Sequence, residues 1–246
     1  MPQLFLSPST QEFNPYVTTG NEEYWMNLLA DRMEPYLLAS GIGFSRNDPN
    51  QNAAAAIRQS NAGEYDFHLA LHSNAAPAGS AGAYRGVDLY YYPASLDGLR
   101  MAEILTDNLK EIYPLPDLVR PISTTTIGEV RRTRASSVLA ELGYHDNPED
   151  AAWIEDNQEE IARALSLSVA EYFGVPFLTP SPVRSGVVTV QSGRLNIRDL
   201  PSTAAPILTT ANNGDPLTIY GESGNWYSVR YGDTVGFASS AYVTIV

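Results

Sequence analysis

The chain has 246 residues, no cysteine and a formal net charge of −13 at pH 7. The lack of cysteine excludes disulfides, thiolate nucleophiles and zinc–thiolate sites together, leaving His, Asp and Glu as the strong metal ligands. A pI near 4.5 and a single lysine, Lys110, argue against nucleic acid as a partner, because binding a polyanion draws on clustered Lys and Arg.

No window approaches about 18 continuous apolar residues, and Met1-Pro2-Gln3 lacks the basic-then-apolar pattern of a signal peptide, so neither membrane insertion nor a Sec-type leader is expected. The length suits two unequal domains. Residues 1–177 carry 24 acidic and 11 basic side chains, and residues 178–246 carry four of each, so all the net acidity belongs to the first part.

Gln3-Leu4-Phe5-Leu6-Ser7 predicts a first strand closed by Pro8, followed by a polar loop from Ser9 to Gly20. Asn21 is placed to cap a helix whose first turn holds Glu22 and Glu23, with Trp25, Leu29, Met33 and Leu37 at helical spacing until Gly41. Glu22 complements the helix dipole in any case, and it also stands where loops gather at a sheet edge. Residues 42–46 predict a second strand and Asn52 to Asn61 a second helix. The run Asp66 to Asn74 then reads as a buried central strand ending in His72-Ser73-Asn74. In open α/β sheets ligands bind beyond the carboxyl ends of the strands, which places His72 to meet substrate or metal; the plainer alternative is a core histidine that only hydrogen-bonds. A Gly/Ala-rich loop, Ala75 to Gly86, precedes a strand over Val87 to Tyr92 and a helix over Ser95 to Tyr113.

Ser137 to Tyr144 repeats the pattern of an apolar strand with a carboxylate, Glu141, near its end, and a buried carboxylate is costly unless paired or functional. His145-Asp146 follows. Asn147-Pro148-Glu149-Asp150 then has the cap, the N1 proline and the acidic first turn of one last helix running to Gly174. Alternation of strands and helices makes the fold α/β, a mainly parallel sheet with helices on both faces. Residues 177–186 are a proline- and serine-containing linker. After it, turn residues every eight to twelve positions predict a small all-β SH3-like barrel over 187–246.

Three blocks of residues 1–176, Asn21-Glu22, Leu71-His72-Ser73-Asn74 and Leu139-Ala140-Glu141-Leu142-Gly143-Tyr144-His145-Asp146-Asn147, resemble in order the motifs of the zinc-dependent N-acetylmuramoyl-L-alanine amidases of the type-3 amidase family. The resemblance implies a peptidoglycan hydrolase acting in the cell wall or outside the cell, with zinc held by Glu22 and His72, Glu141 as the catalytic carboxylate and Asn74 at the substrate. One block departs. The family has Asp-Pro-Gly-His after the first strand and this chain has Ser7-Pro8-Ser9-Thr10, so Thr10 stands where a zinc histidine is expected.

Of the remaining imidazoles, His68 precedes His72 by four positions on one strand, about 13 Å away at a rise of roughly 3.3 Å per residue, too far to share a zinc ion. His145, at the same edge as His72, is therefore the expected third ligand, with Glu12 as a further candidate and water or Asp146 as its plainer partners. Glu129, near the same edge, is expected to pair with Arg131, Arg132 or Arg134. A catalytically silent wall-binding protein that keeps the fold is the alternative reading. Residues 187–246 resemble bacterial SH3 domains through Leu195 to Ser202, Gly214 to Tyr220, Gly224 to Tyr231 and Val235 to Ala238, similar to wall-targeting modules of peptidoglycan hydrolases; Trp226 is expected to be partly core, with wall contact as its other role.

Overall fold

The computed structural model describes residues 1–246. Two compact units emerge, one made of Leu4–Met33 and Phe44–Tyr172 and the other of Met1–Gln3, Glu34–Gly43 and Phe173–Val246. No helix is long and apolar enough to cross a membrane.

The elements of the N-terminal part are β1 (Gln3–Pro8), α1 (Glu22–Ala39), β2 (Gly43–Arg46), α2 (Ala53–Ala62), β3 (Phe67–Asn74), β4 (Val87–Tyr91), α3 (Leu96–Lys110), β5 (Val119–Ser123), α4 (Gly128–Arg131), β6 (Ser137–Tyr144), α5 (Pro148–Asp156) and α6 (Gln158–Phe173). The six strands form one sheet in the order β2-β1-β3-β6-β4-β5. β1 with β3, β3 with β6 and β4 with β5 are parallel, and β4 runs antiparallel to β6. The reversal has a local cause. No helix separates β3 from β4, so the chain leaves β3 and re-enters the sheet from the same edge.

Side-chain alternation assigns the faces. On β3, Phe67 meets Tyr172 of α6 edge-on at 4.8 Å, while Ala70 packs with Val130 of α4 and Leu139 of β6, and His68 reaches Ser60 of α2. Helices therefore cover both faces, and His68, Ala70 and His72 share the α2/α4 face. Strand pairing aligns His72 with Glu141, and Glu141 with Asp88, which itself pairs with Arg120. A row of polar side chains thus crosses four strands at the edge where β3 and β6 end.

The two caps expected from the sequence are formed: Asn21 Oδ1 accepts from the Tyr24 N–H at 2.8 Å, and Asn147 from those of Glu149 and Asp150; Asn52 and Ser95 also cap their helices, accepting from the N–H of Ala55 and of Gly98. The single last helix is in fact two. Asn157 breaks it, its side-chain Nδ2 donating to the Trp153 carbonyl that its own backbone N–H also uses. Strand β5 escapes a sequence reading because only Val119 is buried and Pro121 interrupts it, as an outer strand tolerates.

The C-terminal strands are β7 (Arg184–Val188), β8 (Leu195–Arg198), β9 (Ile207–Ala211), β10 (Pro216–Ser223), β11 (Trp226–Tyr231), β12 (Thr234–Ser239) and β13 (Val243–Ile245), in the order β13-β7-β10-β11-β12-β8-β9. All the registers given for them are antiparallel. Their inward residues, among them Val188, Ile197, Leu217, Ile219 and Val229, form one buried cluster. The hairpins at Gly224 and Gly232, both at φ +58°, need the left-handed conformation that glycine adopts without strain. β7 begins at Arg184, inside the stretch expected as linker, because past Pro182 every residue can again donate its N–H to a neighbouring strand.

Candidate active site

The loop after β1, the first turn of α1, α4 and the ends of β3 and β6 meet at the edge of the first sheet. The loop after β1 is anchored by the Ser9 N–H on the Leu71 carbonyl at 2.9 Å, and it turns tightly, with the Gln11 N–H on Ser9 Oγ and the Asn14 N–H on the Gln11 carbonyl. Capping by Asn21 fixes Glu22 in the first turn of α1, where it is 1% exposed. β3 brings His72 to the same point, with its Nδ1 2.7 Å from Glu22 Oε1. Asn14 Nδ2 donates to Glu22 Oε2 at 2.6 Å, and Gln11 Nε2 lies 3.4 Å from Glu22 Oε1 and 3.2 Å from His72 Nδ1.

The other ring nitrogen of His72 faces Glu129 Oε2 at 3.3 Å. Glu129 Oε1 receives the Ser7 hydroxyl at 2.5 Å and stands 3.2 Å from His68 Nε2; His68 in turn stacks on Phe5 and reaches Ser60. The pairing of Glu129 with an arginine expected from sequence is not found, because α4 turns this carboxylate inward beneath the sheet edge. Sequence offers one signal for this: Gly128-Glu129-Val130 puts a carboxylate next to an apolar residue that must face the core.

Burial alone would make the His72 imidazolium costly. Hydrogen bonds that its ring N–H groups donate to Glu129 and Glu22 outweigh that cost and raise its pKa well above the usual range. The same contacts, against the opposing effect of burial, lower the pKa of Glu22 and Glu129 below the ordinary carboxylate value. In the metal-free chain the two carboxylates on either side of His72 thus favour its protonated form.

Glu141 is different. Its Oε2 is buried without a hydrogen-bond partner, and burial, reinforced by the charges of Glu22, Asp88 and Glu129 though opposed by His72, raises its pKa to about 7. A carboxylate with that pKa can accept and return a proton near neutrality. Asp88 cannot share the task, being tied to Arg120 Nε at 2.8 Å.

Of the residues expected from sequence, Glu22, His72 and Glu141 converge, and Asn74 ends β3 close by with its Oδ1 accepting from the Ala75 N–H. His145 makes other contacts. Its Nδ1 lies 2.9 Å from the Ser73 carbonyl and its ring stacks on Tyr16 at 5.5 Å. Thr10 and Glu12 line a separate cleft with Phe13 and Asn52. No three His, Asp or Glu side chains are arranged as a ready metal cage. Donor chemistry nevertheless fits a cation: a carboxylate and an imidazole nitrogen in contact, an amide beside them, and an orphaned carboxylate oxygen on the adjacent strand. Gln11 is the member of this group that no motif or periodicity singles out.

Residues 14–171 match the family model Amidase_3, N-acetylmuramoyl-L-alanine amidase, and residues 193–244 match the bacterial SH3 domain model SH3_3. The first match begins at Asn14, after the block in which this sequence departs from the family. A comparison with curated proteins gave no match. Among solved structures, the chain resembles the N-acetylmuramoyl-L-alanine amidase AmiC2 of Nostoc punctiforme, with 16% identity, TM-score 0.60, and 70% of this chain and 97% of that one covered. It also resembles the catalytic domain of CwlV, an amidase from Bacillus (Paenibacillus) polymyxa var. colistinus, with 16% identity, TM-score 0.60, and 72% and 100% covered. Ami1 of Mycobacterium smegmatis is similar too, at 17% identity and TM-score 0.59, with 70% and 97% covered.

Proposed function

The chain belongs to the Amidase_3 family of N-acetylmuramoyl-L-alanine amidases, and from that premise we propose that it opens the amide between N-acetylmuramic acid and L-alanine of peptidoglycan, with Glu141 as general base and acid beside a zinc site containing Glu22 and His72. The observation that carries this reading is the unpartnered, raised-pKa Glu141 carboxyl one strand from the Glu22–His72 contact. A zinc ion held there would polarise the scissile carbonyl and lower the pKa of water to about 7.

In this reading the chain's own groups do the following. Glu141 removes the proton from the attacking water and returns it to the amine nitrogen of L-alanine as the C–N bond breaks, so it ends each cycle ionised as it began. Glu129 orients His72 through Nε2, and Asn14 holds the second oxygen of Glu22, so both donors are fixed before substrate arrives. Asn74, at the end of β3, would meet substrate at the open edge. Product analysis of digested sacculi by mass spectrometry tests the assignment: intact stem peptides with a free L-alanine amino terminus are expected, and glycan or crosslink cleavage without free stems would overturn it.

We propose a catalytic domain over 1–176 and, with its strands starting at Arg184 rather than at 187, a C-terminal module that contacts the wall. A cleft of about 580 Å³ in the barrel is lined by Trp226, Tyr242, Arg194 and Arg198, among others, and by no acidic residue, although the barrel has as many acidic as basic side chains. Aromatic faces with guanidinium groups suit a glycopeptide bearing carboxylates. Trp226→Ala in the full chain is expected to weaken sacculus binding in a sedimentation assay by roughly 5- to 30-fold, the effect of losing about 1–2 kcal/mol of aromatic contact, while turnover of a small soluble muropeptide stays the same. Unchanged sedimentation would remove wall contact from this cleft.

A further inference from the structure

Catalytic zinc sites hold three protein ligands, and Glu22 with His72 supplies two. The family's imidazole is missing from the loop after β1, and the other histidines are engaged elsewhere: His68 with Ser60 and Glu129, and His145 with Ser73 and Tyr16.

Two features of the site bear on what fills the third position. The first is the direction of the His72 ring. With Glu129 Oε2 at Nε2, Nδ1 is the nitrogen that faces Glu22 and Gln11; an outer carboxylate on the far nitrogen is the usual way in which a metal-binding imidazole is oriented and its tautomer fixed. The second is spacing. His72 Nδ1, Glu22 Oε1 and the amide end of Gln11 form a triangle with sides of 2.7, 3.2 and 3.4 Å. Donors about 2.0–2.1 Å from a tetrahedral zinc stand about 3.3 Å apart, so the two sides that end at Gln11 match the edge of such a tetrahedron, and the 2.7 Å hydrogen-bonded side would open by about 0.6 Å.

The geometry points to Gln11 as the third protein ligand, binding through its carboxamide oxygen in place of the family's histidine. This inference rests on the zinc reading. In the metal-free arrangement Nε2 is turned inward because its neighbour Glu22 is an acceptor, and Oε1 accepts from Asn14 Nδ2 at 3.2 Å. A cation held by these groups would reverse that preference, and a half-turn of the amide would present Oε1 instead. Asn14 then keeps its shorter bond to Glu22. Backbone contacts on both sides of Gln11, to Ser9 and Asn14, hold the side chain's origin in place through this turn. An amide oxygen is a neutral and weaker zinc donor than imidazole, so the site is expected to bind zinc less tightly than one with two histidines.

The test is zinc affinity of the chelator-stripped full chain, measured by competition with a chromogenic chelator, with the visible spectrum of the cobalt-substituted protein as a second readout. Expected are one zinc per parent chain, a loss of at least about tenfold in affinity for Gln11→Ala, and a gain for Gln11→His with an altered cobalt spectrum. Thr10→Ala and His145→Ala should remain within about twofold of the parent. Zinc binding by the parent with undiminished affinity in Gln11→Ala, or a loss in His145→Ala or Thr10→Ala instead, would overturn the role of Gln11 and leave the zinc reading standing. A parent chain that binds no zinc would overturn the zinc reading itself, and the inference with it.

Discussion

Full-length Glu141→Gln is expected to release stem peptides roughly 100- to 10,000-fold more slowly than the parent, the range for losing a positioned proton-transfer group, with zinc stoichiometry unchanged. The same substitution should stabilise the metal-free protein above neutral pH. Glu141 has a folded-state pKa raised from 4.5 to about 7, so the folded chain binds this proton more tightly than the unfolded one. Stability therefore falls as pH rises from about 4.5 through 7 and stays lower above it, by at most about 3 kcal/mol. Glutamine carries no such charge. Urea denaturation of chelator-treated parent and variant should show a small difference at pH 5 that widens in favour of the variant by pH 8. Parallel pH curves would mean that the carboxyl is not destabilised in the folded protein, and undiminished turnover would remove it from the chemistry.

Replacement of Glu129 is expected to have the second largest effect, here on stability. This buried carboxylate is the shared partner of His68, His72 and Ser7, and it faces a charged His72. Glu129→Leu leaves that charge short of a partner and should cost about 3–5 kcal/mol, while Glu129→Gln, which still accepts one hydrogen bond, should cost less. The acid limb carries a distinguishing signature. Because the pKa of Glu129 is lowered in the folded state, its contribution is present above the ordinary carboxylate pKa and is lost as pH falls below about 4.5. Glu129→Gln should accordingly flatten the stability curve between pH 5 and 3. An acid limb as steep as the parent's, with an unfolding free energy within about 0.5 kcal/mol, would show that Glu129 does not bear on His72 as described.

Much of the site is legible in the sequence because each of its strongest residues sits at an element boundary. Glu22 follows a cap, and His72 and Glu141 lie at or near the ends of apolar strands, so chain order and the topology of parallel strands suffice to bring them to one edge. Glu129 is visible as a carboxylate near that edge, but its neighbours suggest the wrong partners. Its short helix has no periodicity long enough to say which way a side chain turns, and adjacent arginines offer a plausible local alternative. Thr10, at the motif's position by residue count, lines another cleft. Aligning a motif by residue count assumes that the loop keeps its path, and here the Ser9 and Asn14 contacts rotate Gln11 inward and send Thr10 to another cleft.

The α/β class, two of the helix caps, the all-β C-terminal barrel and the approach of Glu22, His72 and Glu141 to one sheet edge can all be read from the chain alone. They follow from periodicities, caps, turn residues and motifs, which are written within a few positions of each other. Four outcomes needed the folded molecule: that β4 runs antiparallel, that Asn157 divides the last helix, that Glu129 bridges two histidines 61 and 57 positions away, and that Gln11 rather than Thr10 faces His72. They depend on where a loop is pinned and which way a buried side chain is forced to turn, and both are settled chiefly by contacts between residues far apart in the chain.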